Sequence, residues 1–210
     1  MNESYLTVRE FASDEIVIQK SRFIGFAVPC STEEDALAFI HSTREKYRDA
    51  RHCCYAYIIG VNSGVMRYSD DGEPGGTAGM PMMDVLKNEG IVNCCVAVVR
   101  YFGGVLLGTG GLVRAYTQGC KIALKAAGIV RMELTSIRKC RVSYPAWNMI
   151  QYAIRNLDVR LEDITYSDAV EFIVCTRKKD VQEMIRTMDT LTEGKTVWIK
   201  TEEKYMPWAV

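Results

Sequence analysis

The apolar and polar residues of this chain alternate in short runs that predict strands, separated by stretches with helical spacing. Ile16–Ile18 and Arg22–Val28 read as two strands around a turn. In STEEDALAFIHSTREKY, Ala36, Leu37, Phe39 and Ile40 recur at helical intervals, with Ser31 as the cap and Glu34 at the capping-box spacing. Cys53–Gly60 (CCYAYIIG) predicts a strongly apolar strand, with Val65–Tyr68 as its partner across an NSG turn. Thr77 is placed to cap a helix over MPMMDVLKNEG, which Gly90 stops. Asn93–Val99 reads as a strand buried on both faces, and Gly111–Ala127 as a helix closed by Gly128.

Beyond Gly128 the pattern changes, and Gly194 is the one further glycine. Met132–Ser143 predicts a long strand, and Pro145 opens a helix through Asn156. Val159–Tyr166 and Ala169–Thr176 pair as a hairpin, Lys178–Asp189 is a second helix, and Thr196–Glu202 a last strand. That β-α-β-β-α-β order is ferredoxin-like. The expectation is an α+β chain of two domains, 1–129 and 130–210.

Composition narrows the function classes. Lys+Arg and Asp+Glu balance at 26 each. A bulk positive field therefore does not hold this chain to nucleic acid, although a local basic patch stays open. The eight cysteines have no C-x-x-C spacing and only His41 and His52 beside them, which disfavours structural zinc. Neighbouring strand residues face opposite ways, so Cys53–Cys54 and Cys94–Cys95 read as core packing. The start, MNESYLTVRE, carries acids and lacks the apolar run of a signal peptide, and no stretch approaches a membrane span. A cytoplasmic protein with no membrane association is expected.

Nine of the sixteen glycines lie in two short segments, DDGEPGGTAG (Asp70–Gly79) and RYFGGVLLGTGGLVRAY (Arg100–Tyr116). The second contains Gly103, Gly104 and Gly108-Thr109-Gly110-Gly111 just before a predicted helix. Backbone without side chains, at a helix start, lets an anion reach unpaired amides. Neither the P-loop nor the dinucleotide fingerprint is matched. Arg100 and Arg114 flank the segment, and Tyr101 and Phe102 offer ring faces. The alternative for the rings is core packing, and for the arginines pairing with Asp70, Asp71 or Glu73. Those three carboxylates could hold Mg²⁺ or simply decorate a turn. His52 reads as a proton-transfer group or a structural histidine. No Ser/His/Asp or Cys/His set emerges.

DARHCCYAY (Asp49–Tyr57), YSDDGEPGGTAGMP (Tyr68–Pro81) and VVRYFGGVLLGTGGLVRAY (Val98–Tyr116) strongly resemble the YigZ/IMPACT family over essentially the full length. The resemblance implies an amino-terminal α/β sandwich like domain IV of the translocase EF-G, followed by a ferredoxin-like domain like its domain V. The family pattern often has Ser-Gly-Thr after the loop proline; here Gly75 stands in place of that hydroxyl. Eukaryotic relatives regulate translation through protein contacts in company with ribosomes, so the resemblance implies a link to translation. The first expectation is a non-enzymatic RNA- or ribosome-associated binding protein. It would use the glycine-rich segment with its arginines, helped by a basic strand containing Arg131, Arg138, Lys139 and Arg141. The second is a Mg-dependent enzyme acting on a phosphorylated small molecule or nucleotide. A protein–protein interaction module is the third.

Overall fold

The computed structural model describes Ser4–Trp208. It divides into two compact units, one running up to Arg131 and taking in Trp208, the other Met132–Pro207. Both mix strands and helices, as the α+β reading expects. No described helix is long and apolar enough to cross a membrane.

The first unit runs β1 (Ser4–Val8), β2 (Ala12–Ile18), β3 (Ser21–Pro29), α1 (Glu33–Lys46), β4 (His52–Ile59), β5 (Val65–Ser69), α2 (Gly79–Asn88), β6 (Cys94–Tyr101) and α3 (Gly108–Ala127). Five of these strands form a sheet in the order β2-β3-β6-β4-β5, antiparallel at every junction. β6 is central, and Cys94 through Arg100 are all buried. This explains why its sequence is a continuous apolar run rather than an alternating one.

The period of two sorts the neighbouring strands onto two faces. Cys54, Ala56, Ile58, Val96 and Val98 join Met82, Leu86, Cys120 and Leu124 of α2 and α3 in one core. On the other face Ile24, Phe26, Cys53, Ala97 and Val99 pack with Phe39 of α1 and with Tyr47, the residue that ends it. Each cysteine pair is thus split between two layers, and the unit is a helix–sheet–helix sandwich. Burial of each large side chain in these layers contributes about 1.5–3 kcal/mol. α3 lies very close to β3: a Cβ on Gly25 would sit 2.2 Å from the Gly119 carbonyl oxygen. Only glycine allows that approach.

The second unit contains β7 (Ile129–Val142, whose first residues belong to the first unit), α4 (Tyr144–Ala153), β8 (Val159–Tyr166), β9 (Val170–Arg177), α5 (Val181–Thr192) and β10 (Val197–Trp208). Its strands β7, β9 and β8 lie side by side in that order in a five-stranded sheet that β1 enters at β7, and β10 also pairs with β7, the pairing that a ferredoxin-like β-α-β-β-α-β chain produces. Trp147, Ile150, Met184 and Met188 of the two helices pack on Val170, Phe172 and Val174 of β9.

Several sequence expectations are corrected here. The start of the chain contributes β1, whose Leu6 bridges to Ile91. The cap of α1 is Thr32, with Asp35 completing the box, one residue beyond Ser31 and Glu34. α3 begins at Gly108, so the four residues Gly108–Gly111 are its first turn and not a loop ahead of it. α4 ends at Ala153 and continues as a 3-10 turn, Ile154–Asn156. Lys178–Asp180 likewise form a 3-10 turn, and α5 runs on to Thr192. The last strand extends to Trp208.

Candidate functional site

β4 and β6 pair so that His52 faces Arg100 across the sheet, at the end where the Asp70–Ala78 loop enters α2. Both glycine-rich segments therefore meet at this end of the first unit. The contact that joins them is buried. Arg100 Nη1 donates to both Glu73 carboxylate oxygens, at 2.7 and 3.0 Å, and the two side chains are only 7% and 4% exposed. The Tyr116 hydroxyl of α3 donates to Glu73 Oε1 at 2.7 Å. Burial, then the nearby Cys54 and Glu73, push the Tyr116 hydroxyl far above its ordinary pKa, so it stays a donor. Phe23 and Phe102 lie 5.4 and 5.6 Å from the Arg100 guanidinium carbon, a cation–π distance. Arg100 is thus committed inside the fold.

The three loop carboxylates have separate partners. Asp70 accepts from the amides of Gly76, Ala78 and Gly79 at 2.8, 3.0 and 2.8 Å. It therefore caps α2 from eight residues upstream of Ala78. Thr77, expected as that cap, instead donates its hydroxyl to the Pro74 carbonyl at 2.7 Å. Gly79 is needed because a Cβ there would stand 2.7 Å from the Ser69 backbone. Asp71 accepts from the Cys53 amide at 2.6 Å and pairs with Arg44 at 2.8 Å. Its carbonyl lies 2.8 Å from His52 Nδ1; a carbonyl only accepts, so Nδ1 is the donor in that contact. No three metal-ligating side chains gather into one group among the described residues. The geometry uses Asp70, Asp71 and Glu73 as cap, tether and counter-ion.

The second segment divides between structure and surface. The Tyr101 hydroxyl donates to Asp49 at 2.8 Å, and Arg22 lies over its ring. Gly103 lies against Lys20, whose backbone a Cβ would meet at 2.0 Å, and its amide donates to the Ser21 hydroxyl. Past this anchor the chain turns outward through Gly104, at φ +85°. Phe102 and Leu106 are 50% and 85% exposed. Gly108, Thr109 and Gly110 are exposed, Gly111 is half-buried, and Arg114 stands exposed one turn further along α3. Among the described residues no side chain caps this helix start, and its first turn holds no acid, in contrast to the Asp70-filled start of α2. The first amides of α3, with their share of the helix dipole, therefore face outward.

A family model described as the Impact N-terminal domain matches residues 19–124. A second, described as a domain of unknown function (DUF1949), matches residues 140–195. The IMPACT family member YvyE of Bacillus subtilis (strain 168) is 40% identical over 210 residues, covering 100% of this chain and 97% of that protein. This chain belongs to the IMPACT family. The IMPACT family member YigZ of Escherichia coli (strain K12) is 35% identical over 188 residues, with 89% and 92% covered. A solved structure described as a hypothetical protein superposes with a TM-score of 0.61 at 33% identity, covering 97% of this chain and all of its own. Every residue of the site described above lies within the IMPACT amino-terminal match.

Sequence reasoning missed Tyr116, Arg44 and Phe23. Tyr116 follows Leu112 by four positions and reads as core; its one signal is a hydroxyl on an otherwise apolar helix face. Arg44 gave no local signal, because its partner Asp71 is distant in sequence.

Proposed function

We propose that this protein is a non-enzymatic, cytoplasmic RNA- or ribosome-associated binding protein linked to translation, and that it meets RNA through the start of α3. The observation that carries the reading is the exposed, uncapped Gly108–Gly111 turn with Arg114 beside it. Free amides and a guanidinium suit a phosphate oxygen, and the exposed Phe102 ring suits a base. Arg100, expected from sequence to share this role, instead braces the turn from within through Glu73. The link to translation is carried over from the IMPACT family. The expected basic strand of the second unit adds little, because Lys139 pairs with Glu171, Arg141 with Asp168, and Arg138 lies over Trp198.

The test is binding of RNA oligomers and ribosomes by Thr109→Asp and Arg114→Ala. A carboxylate at Thr109 complements the helix dipole and adds about 0.3–1 kcal/mol of stability, while repelling phosphate. The variant is expected to melt no lower than the parent and to bind RNA more weakly. Arg114→Ala is expected to lower the slope of log affinity against log salt by about one. Undiminished binding by the double variant sinks the reading.

A further inference from the structure

Phe102 is a half-exposed ring set on a fixed mount. Its inner side meets Arg100, whose guanidinium carbon stands 5.6 Å from the ring centroid. Arg100 is itself held in place. Glu73 accepts from its Nη1 with both oxygens, and the Phe23 ring lies 5.4 Å from the same guanidinium carbon. On the far side of Phe102, Gly103 is pinned against the Lys20 backbone, where a Cβ would not fit, and its amide donates to the Ser21 hydroxyl. The backbone is therefore anchored on both sides of the ring.

Phe102 is nevertheless 50% exposed, while Arg100 is buried. The ring face against Arg100 is thus the inward one, and the exposed half is the opposite face. A cation behind a ring holds it by attraction to the π-system and leaves the other face open. A ring fixed in this way loses little further freedom when a flat partner covers it. That is the condition under which stacking yields net affinity.

We propose that the outer face of Phe102 stacks one unpaired base, so that the site takes single-stranded RNA, a loop or an unpaired end, in preference to duplex. This rests on the reading of the α3 start as the RNA contact. Bases inside a double helix already have both faces covered by their neighbours, whereas an unpaired base can be splayed onto a ring. Stacking on a ring requires no hydrogen bond to a base edge, so the preference is for strandedness and not for sequence. Phe102 is then the residue that selects the form of the RNA, and the phosphate contact at α3 supplies affinity common to both forms.

The experiment measures binding of the full chain to a short labelled RNA strand of mixed sequence, to the same strand annealed into duplex, and to an abasic strand of equal length. The single strand is expected to bind about tenfold more tightly than either of the others. Phe102→Leu, which keeps an apolar side chain and loses the ring, is expected to remove that preference, and Phe102→Tyr to retain it. Equal binding of the base-bearing and abasic strands by the parent protein overturns the inference. So does a preference for single strand that survives Phe102→Leu. In both cases a loss of RNA binding in Thr109→Asp leaves the phosphate contact at α3 standing. If no RNA binds at all, the reading of that contact fails and this inference fails with it. Should Phe102→Leu not fold, the comparison of base-bearing and abasic strands on the parent protein decides the matter.

Discussion

A buried guanidinium is tolerable only while its charge is matched, and Glu73 supplies that match for Arg100. Both Glu73 oxygens face Nη1, and Oε1 also receives the Tyr116 hydroxyl. Glu73→Gln keeps the shape and removes the charge. We expect it to cost about 3–5 kcal/mol in urea unfolding, because it leaves Arg100 charged and uncompensated in the core. The paired change Glu73→Leu with Arg100→Met is expected to cost less than Glu73→Gln alone, since it deletes both charges together. A double variant less stable than Glu73→Gln would show that the cluster does not act as an ion pair. The sequence put Glu73 beside Asp70 and Asp71 and suggested shared work. Its partners stand 27 and 43 positions away, so only the folded sheet separates the three carboxylates.

At the scale of elements, glycines with the same appearance in the sequence do different work. Gly25 in β3 lies under the Gly119 carbonyl of α3, and an added methyl would sit 2.2 Å from it. Gly75 in the loop ahead of α2 has nothing within 4 Å of its Cβ direction. Gly25→Ala is therefore expected to push α3 off the sheet and cost at least about 1–3 kcal/mol. Gly75→Ala is expected to lie within about 1 kcal/mol of the parent, because it meets no atoms and restricts the unfolded chain. Thermal melts of the two variants side by side check the contrast, and equal losses would refute it. The same logic explains which boundaries were legible. Strands β4 and β6 declared themselves through apolar runs. The start of α3 did not, because glycine is a poor helix former by about 1 kcal/mol and a local reading stops the helix at Gly111. Ser31/Glu34 and Thr32/Asp35 both fit a capping box, and the sequence alone does not separate them. β1 was silent because its strand partner β7, and the Ile91 that Leu6 bridges, both lie far along the chain.

For the whole molecule, the legible feature with the widest reach is its cysteines. All eight are buried and unpaired, distributed through the cores of both units. Burial is the first cause at every one, and it pushes Cys30, Cys53 and Cys175 up to about 11 and Cys140 to about 12 from an ordinary 9.0. Cys54, Cys94, Cys95 and Cys120 are raised further by the same cause. The folded protein therefore holds thiol protons that the unfolded chain releases near pH 9. Each thiol's contribution to stability is complete below that pH and is lost as pH climbs through 9 toward 11 and beyond. Urea midpoints measured from pH 8 to pH 11 are expected to fall steadily. Replacing Cys53 with alanine, a smaller neutral residue, should flatten the fall while lowering the midpoint at pH 8. A thiolate-specific reagent at pH 8 should label the native protein slowly and all eight positions after denaturation. Rapid labelling of any one cysteine in the native state would place that thiol at the surface and break the assignment of the CC pairs to opposite cores. The outcome bears on function too, because buried, protonated thiols are poor nucleophiles, and a reading built on binding needs none.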